Sequence, residues 1–201
     1  TYNPTVNQPG VYILSVTNTA TGCTSTDEVT VSSNFETPVA QIAPPAVLTC
    51  AVVEIELDAS GSAGANLLFN WATTNGHITS GNDTPHPTID KAGTYKVTVT
   101  NSESGCTHTS QVVVTQNIVP PLAEAGPAVN LTCQAPTLSL NGTGSSTNNV
   151  SYYWDTSNGN IVSGETTLTP VIDKAGTYTL EVTNNLNGCT ATDLVTVTSS
   201  Q

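Results

Sequence analysis

The stretch Asp173–Val197, "DKAGTYTLEVTNNLNGCTATDLVTV", has a near copy in Asp90–Val114, "DKAGTYKVTVTNSESGCTHTSQVVV", and a more diverged one in Asn7–Val31, "NQPGVYILSVTNTATGCTSTDEVTV". No insertion or deletion separates the three, so Cys23, Cys106 and Cys189 fall 83 residues apart. Within each copy apolar residues alternate with polar ones, as at Tyr95, Val97 and Val99, which is the period of a half-buried strand. A polar Asn-to-Gly segment then interrupts the alternation before a second alternating run begins. Strand, turn, Cys and strand therefore form one pattern that the chain writes three times.

Working outward, Cys50 and Cys133 keep the same interval, as do Trp71 and Trp154 and the pairs Asn75-Gly76 and Asn158-Gly159. Laying 34–116 over 117–199 without a gap gives 37 identities in 83 positions. A fixed period of that length means tandem domains, each large enough to hold its own core. In the second repeat the alternation predicts strands near 38–43, 46–50, 53–59, 66–73, 77–80, 86–90, 93–101 and 106–115, with Gly, Pro, Asn and Ser clustered between them. About seven short strands with turns every 8 to 12 residues is the pattern of an immunoglobulin-like β-sandwich, in which Trp71 and Trp154 would be core and Tyr95 and Tyr178 would sit at the start of the sixth strand. The expectation is all-β: residues 34–116 and 117–201 as two such sandwiches, and 1–33 as the second half of another, which alone could not close. Thr1 aligns with Thr84 and Thr167, inside a repeat, so the chain reads as a piece of a longer one.

The segments "LDASGSAGANLLFNW" and "AGTYKVTVTNSESGC" resemble the polycystic-kidney-disease (PKD) type of immunoglobulin-like domain. "LTC", "TSNGNIVSG" and "AGTYTLEVTNNLNGCTATDLVTV" resemble the tandem repeats of very large Bacteroidota surface adhesins of the gliding-motility type. The resemblance covers nearly the whole chain and implies exported, cell-surface repeats. The Trp-Asp-Phe-Gly-Asp-Gly run usual in PKD domains is replaced here by "NWATTNG" and "YWDTSNG".

Composition narrows the partners. The 201 residues carry 15 acidic groups, three Lys and no Arg, for a formal charge of -12, which disfavours nucleic acid and anionic lipid, both of which need cations to neutralise phosphate. Thr is the commonest residue, at 36, and suits a pleated, half-exposed surface. No run approaches the roughly 18 apolar residues of a membrane span, and no signal sequence opens the chain.

Five Cys in a fixed register, with no CxxC pair, read as oxidised structural cysteines of an exported protein. Two pairings are open. Within a repeat, Cys50 would join Cys106 and Cys133 would join Cys189. Between repeats stacked head to tail, Cys50 would join Cys189, and Cys23, Cys106 and Cys133 would seek partners outside the chain.

Asp90 and Asp173 open the "DKAG" turns and are candidate calcium ligands, against the simpler reading of side chains that cap their own turn, which Asn7 in the first copy would do equally well. Asp58, matched by Asn141, has the same simpler reading. His77, His86 and His108 match Asn160, Thr169 and Ala191, so no repeated site is built on them, and they read as surface residues. Lys91, Lys96 and Lys174 read as surface rather than as isopeptide partners, the sequons at Asn82, Asn130, Asn141 and Asn149 are each missing from the other copy, and Tyr153 is a lone candidate sugar contact. With no catalytic motif in view, the expectation is a non-enzymatic stalk without cofactor, its partners being neighbouring repeats or further copies in a filament. The alternative is a carbohydrate- or protein-binding accessory module.

Overall fold

The computed structural model describes residues 3–200. Thr1, Tyr2 and Gln201, the outermost positions of the first and last repeats, lie outside the described residues. The first copy is a hairpin, β1 (Gly10–Thr17) against β2 (Thr24–Val31). The second holds β3 (Leu48–Thr49), β4 (Ile55–Glu56), β5 (Leu67–Thr73), β6 (His77–Ser80), β7 (Thr88–Lys91), β8 (Gly93–Asn101), β9 (Thr107–Val114) and β10 (Gln116–Asn117). The third holds β11 (Val129–Thr132), β12 (Leu138–Ser139), β13 (Val150–Thr156), β14 (Asn160–Ser163), β15 (Val171–Lys174), β16 (Gly176–Asn184) and β17 (Thr190–Ser200).

Each of the two longer repeats splits its strands between two sheets. In the second, β4-β7-β6 faces β5-β8-β9, and β3 pairs in parallel with β10 at the continuation of β9. In the third, β12-β15-β14 faces β11-β17-β16-β13, with β11 parallel to β17. Sequential strands that alternate between sheets in this order make an immunoglobulin-like sandwich. The alternation read from the sequence puts Val97, Val99, Leu180 and Val182 wholly inside. Two separate cores result, one around Trp71, Tyr95 and Ile89 and one around Trp154, Tyr178 and Ile172.

Three sequence expectations shift. Residues 38–43 form no strand beyond the bridge Val39↔Ala63, because Pro38, Pro44 and Pro45 remove the N–H groups a ladder needs. Residues 53–59 shorten to β4, although Leu57 N and Ala59 N still donate to Pro87 O and Pro85 O; those prolines cannot donate in return. The strand expected at 86–90 starts instead at Thr88, after the same prolines.

Among the described residues no second sheet lies over the hairpin β1–β2. Ile13, Leu14, Val16 and Val29 are 59–67% exposed, whereas Val97, Val99, Leu180 and Val182, which align with Leu14 and Val16, are fully covered in the complete copies.

Candidate functional site

The repeated segment builds the same two polar devices in every copy, one at each end of its first strand. At the start of the strand, the Tyr178 hydroxyl donates to Lys174 O at 2.6 Å and accepts from Asn160 N at 2.9 Å. Tyr95 makes the matching bonds to Lys91 O and His77 N, and Tyr12 donates to Gln8 O at 2.8 Å. The Asn-Gly turn closes on this ring: a Cβ on Gly159 would lie 2.4 Å from Tyr178 Cζ, and one on Gly76 would lie 2.3 Å from Tyr95 Oη. Burial raises the Tyr95 hydroxyl above its usual pKa and Asp90 adds to the rise, against the His77 N–H.

At the far end, Asn18, Asn101 and Asn184 each fold the following hairpin turn with their side-chain oxygens. Asn101 Oδ1 accepts from Glu103 N and Ser104 N, Asn184 Oδ1 from Leu186 N, and Asn18 Oδ1 from Ala20 N and Thr21 N. Gly22, Gly105 and Gly188 close the turns at φ between +70° and +72°, a left-handed conformation that glycine adopts without a Cβ penalty. The Cys of each copy follows directly, so Cys23, Cys106 and Cys189 ride on matching turns.

The tip carrying Cys189 reaches into the second repeat. Cys50 and Cys189 form a disulfide with Cα atoms 5.0 Å apart, bridging 139 residues. The within-repeat pairings Cys50–Cys106 and Cys133–Cys189 are not formed, for a geometric reason. Leu48 pairs with Gln116, which sets Cys50 level with residue 118, twelve residues along the strand from Cys106 (118 − 106 = 12). At about 3.3 Å per residue that is about 40 Å, whereas a disulfide needs Cα atoms within about 7 Å. Cys23, Cys106 and Cys133 are free thiols, Cys23 and Cys133 exposed.

Around the disulfide the junction is closely fitted. Ala51 N donates to Asn187 O at 3.1 Å, and a Cβ on Gly188 would come 2.6 Å from Ala51 Cβ. Asn187 is 1% exposed, yet both polar atoms of its side chain are used. Its Nδ2 donates to Asn117 Oδ1 and Val119 O, each at 3.0 Å, and its Oδ1 accepts from Cys189 N at 2.9 Å. The aligned residue Ser104 makes a shorter version of the same contact, donating to Glu36 O at 2.9 Å and accepting from Cys106 N at 3.2 Å. The repeat comparison does not single out Asn187, since Thr21 and Ser104 occupy its register; its only sequence signal is the position two residues before the Cys.

The other sequence candidates stay apart from this junction. Asp90 Oδ1 lies 2.7 Å from His77 Nδ1, and Asp173 Oδ1 accepts from Asn160 Nδ2 at 2.7 Å, so each aspartate reaches across to the neighbouring strand rather than capping its own turn. The turn-capping reading does fit Asp58, whose Oδ1 accepts from Ser60 N; the Ser60 hydroxyl and amide hold that carboxyl below its usual pKa. His108 Nδ1 accepts from Ala40 N at 2.9 Å and ties the start of the second repeat to β9. Trp71 and Trp154 are buried and donate to Thr84 O and Thr167 O, each at 2.9 Å. Tyr153 is 51% exposed. His86 Nδ1 lies 3.4 Å from Glu56 Oε1 and 3.7 Å from Asp58 Oδ1, and among the described residues no group of three His, Cys, Asp or Glu side chains is arranged to hold a metal ion.

No family model matches the chain. No curated protein matches it significantly. Among solved structures it is similar to three N-terminal domains of the bacteriophage RB49 highly immunogenic outer capsid protein, at 19% identity over 81% of this chain and 59% of that one, with a TM-score of 0.43. It is also similar to the titin fragment I67-I69 in an E-to-A variant, at 14% identity over 81% and 65% of the two chains with a TM-score of 0.38. The PKD domain from the KIAA 1837 protein is similar at 21% identity over 39% of this chain and 87% of that domain, with a TM-score of 0.31. The chain spans about three fifths of the length of the first two. By its own strand order it is a tandem array of immunoglobulin-like β-sandwiches.

Proposed function

We propose that these repeats are stalk units of a long, secreted cell-surface adhesin or filament, supplying reach and stiffness for surface attachment or gliding. The Cys50–Cys189 staple carries this reading. Tandem domains on a plain linker move relative to one another unless a large interface holds them; here a covalent bond and the buried Asn187 hold the joint. The staple also reroutes load. Tension applied at the two ends passes from Cys50 directly to Cys189, so the chain between them, a sequence separation of 139, cannot be drawn out even if both sandwiches unfold. Such a bond fits an oxidising, extracellular setting. A surface dominated by Thr and nearly free of cations leaves the stalk without attraction for phosphate.

Pulling the chain by its ends in a single-molecule force experiment tests this. Without reductant the fully stretched length should fall short of the reduced value by about 470 Å, from 139 residues at about 3.4 Å each. Equal lengths with and without reductant would remove the observation on which the stalk reading stands.

A further inference from the structure

Four Asn-Gly pairs occur in the chain, at 75–76, 141–142, 158–159 and 187–188. An amide side chain followed by Gly is chemically labile, because no Cβ keeps the Gly nitrogen away from the Asn side-chain carbon. Asn75, Asn141 and Asn158 are exposed, and their side-chain oxygens accept within their own repeat, from Thr94 N, Thr143 N and Thr177 N. Asn187 alone of the four is buried.

The second repeat completes that burial. Thr21, Ser104 and Asn187 share one register, and they are exposed, half-buried and 1% exposed in that order. Ser104 reaches its own linker at Glu36 O, as Asn187 reaches Val119 O, so the linker supplies one part of the cover and the turn around Cys50 the rest. There Ala51 N donates to Asn187 O at 3.1 Å, and Asn117, which pairs with Thr49 beside Cys50, accepts from Asn187 Nδ2 at 3.0 Å. Both groups of the labile pair are held. Gly188 N donates to Asn184 O at 2.8 Å, and the Asn187 amide is fixed at its oxygen by Cys189 N and at its nitrogen by Asn117 and Val119.

We propose that Asn187-Gly188 is a deamidation site that the closed joint protects and that opening of the Cys50–Cys189 bond exposes, so that a joint left open becomes one that cannot reclose. Gly188 N attacks Asn187 Cγ, the Cγ–Nδ2 bond breaks, and Nδ2 leaves as ammonia with the Gly188 proton, giving a cyclic imide. Water then opens the ring at either carbonyl, giving an aspartate or its isomer with one more carbon in the backbone. Neither product fits the joint. Val119 O, a backbone acceptor, would face a carboxylate where it now meets an N–H, and a desolvated charge without a donor is costly. The isomer would also displace Gly188, already so close that a Cβ on it would lie 2.6 Å from Ala51 Cβ. This goes beyond the stalk reading, giving each opened joint an irreversible record.

The full oxidised chain, incubated at mildly alkaline pH with and without reductant and then mapped by mass, tests this. Among the described residues Cys50–Cys189 is the bond that reductant can break. Opening removes the Ala51 and Asn117 bonds, so reduction should raise the rate of amide loss at Asn187 by at least about tenfold, while Asn75, Asn141 and Asn158 in the same digest keep their rates. After prolonged reduction the parent should re-form Cys50–Cys189 poorly on oxidised glutathione. Asn187→Ser, which has no amide to lose, should re-form it equally after brief and prolonged reduction. Asn187→Asp should show the product's defect at once, with a yield about tenfold below the parent's. Equal amide loss at Asn187 with and without reductant, or a parent that recloses as fully after prolonged reduction as after brief, would overturn the proposal. Where Cys50–Cys189 maps intact in the oxidised starting material, such a result leaves the stalk reading standing; absence of that bond overturns both.

Discussion

Truncating Asn187 to Ala removes three hydrogen bonds, of 2.9, 3.0 and 3.0 Å, from a side chain only 1% exposed. A net value of about 1 kcal/mol per bond sets the loss at about 3 kcal/mol, and the donor and acceptors left unpaired at a buried joint keep it from being smaller. Asn187→Ser should be milder, because Ser104 at the same register makes one donated and one accepted bond to its own linker and turn; a loss of about 1 to 1.5 kcal/mol follows from one fewer bond. Urea unfolding of the oxidised chain measures both. A Trp71→Phe background leaves Trp154 as the only indole, so its fluorescence reports the third repeat. If Asn187→Ala lay within about 0.5 kcal/mol of the parent, or if Ser were as costly as Ala, the side chain would not be what seats the turn and the reasoning would fail.

Three further outcomes follow from other parts of the molecule. Gly188→Ala forces a Cβ to 2.6 Å from Ala51 Cβ at a φ of +72°, so the oxidised yield of Cys50–Cys189, read by thiol titration, should fall well below the parent's; an unchanged yield would contradict the close fit. Tyr95 has a folded pKa raised above its ordinary 10.0, so its contribution is fully present below pH 10 and is lost as pH climbs through the folded value. Stability measured from pH 9 to 12 should therefore decline more steeply in the parent than in Tyr95→Phe, and parallel curves would refute the assignment. Deleting residues 1–33 should leave the unfolding of both sandwiches within about 0.5 kcal/mol of the parent, because the apolar residues of that hairpin are exposed rather than packed; a larger shift would show that the hairpin supports the second repeat.

Much of this was legible in the sequence because the repeat supplies its own controls. Alternation at Tyr95, Val97 and Val99, copied at Tyr178, Leu180 and Val182, identified the buried face of the central strand, and all six side chains are fully covered. The prolines at 38, 44, 45, 85 and 87 were visible, but their effect on pairing was not, because a ladder that loses alternate bonds depends on which strand lies opposite. The disulfide stayed open between two pairings until the register of β3 on β10 fixed the distance from Cys50 to Cys106. Asp90 and Asp173 were read as capping their own turns but lie on β7 and β15 and reach the neighbouring strand, since the residue across the ladder, His77 or Asn160, is 13 positions away and differs between copies. Asn187 was missed for the opposite reason: a residue that serves one particular joint need not recur at the period.

Non-reducing peptide mapping of the oxidised chain tests the stapled joint most directly. The account predicts a linked fragment joining Cys50 to Cys189, with Cys23, Cys106 and Cys133 open to alkylation before any exchange reagent is added. Fragments joining Cys50 to Cys106 or Cys133 to Cys189 would place the covalent bond inside single sandwiches and contradict it.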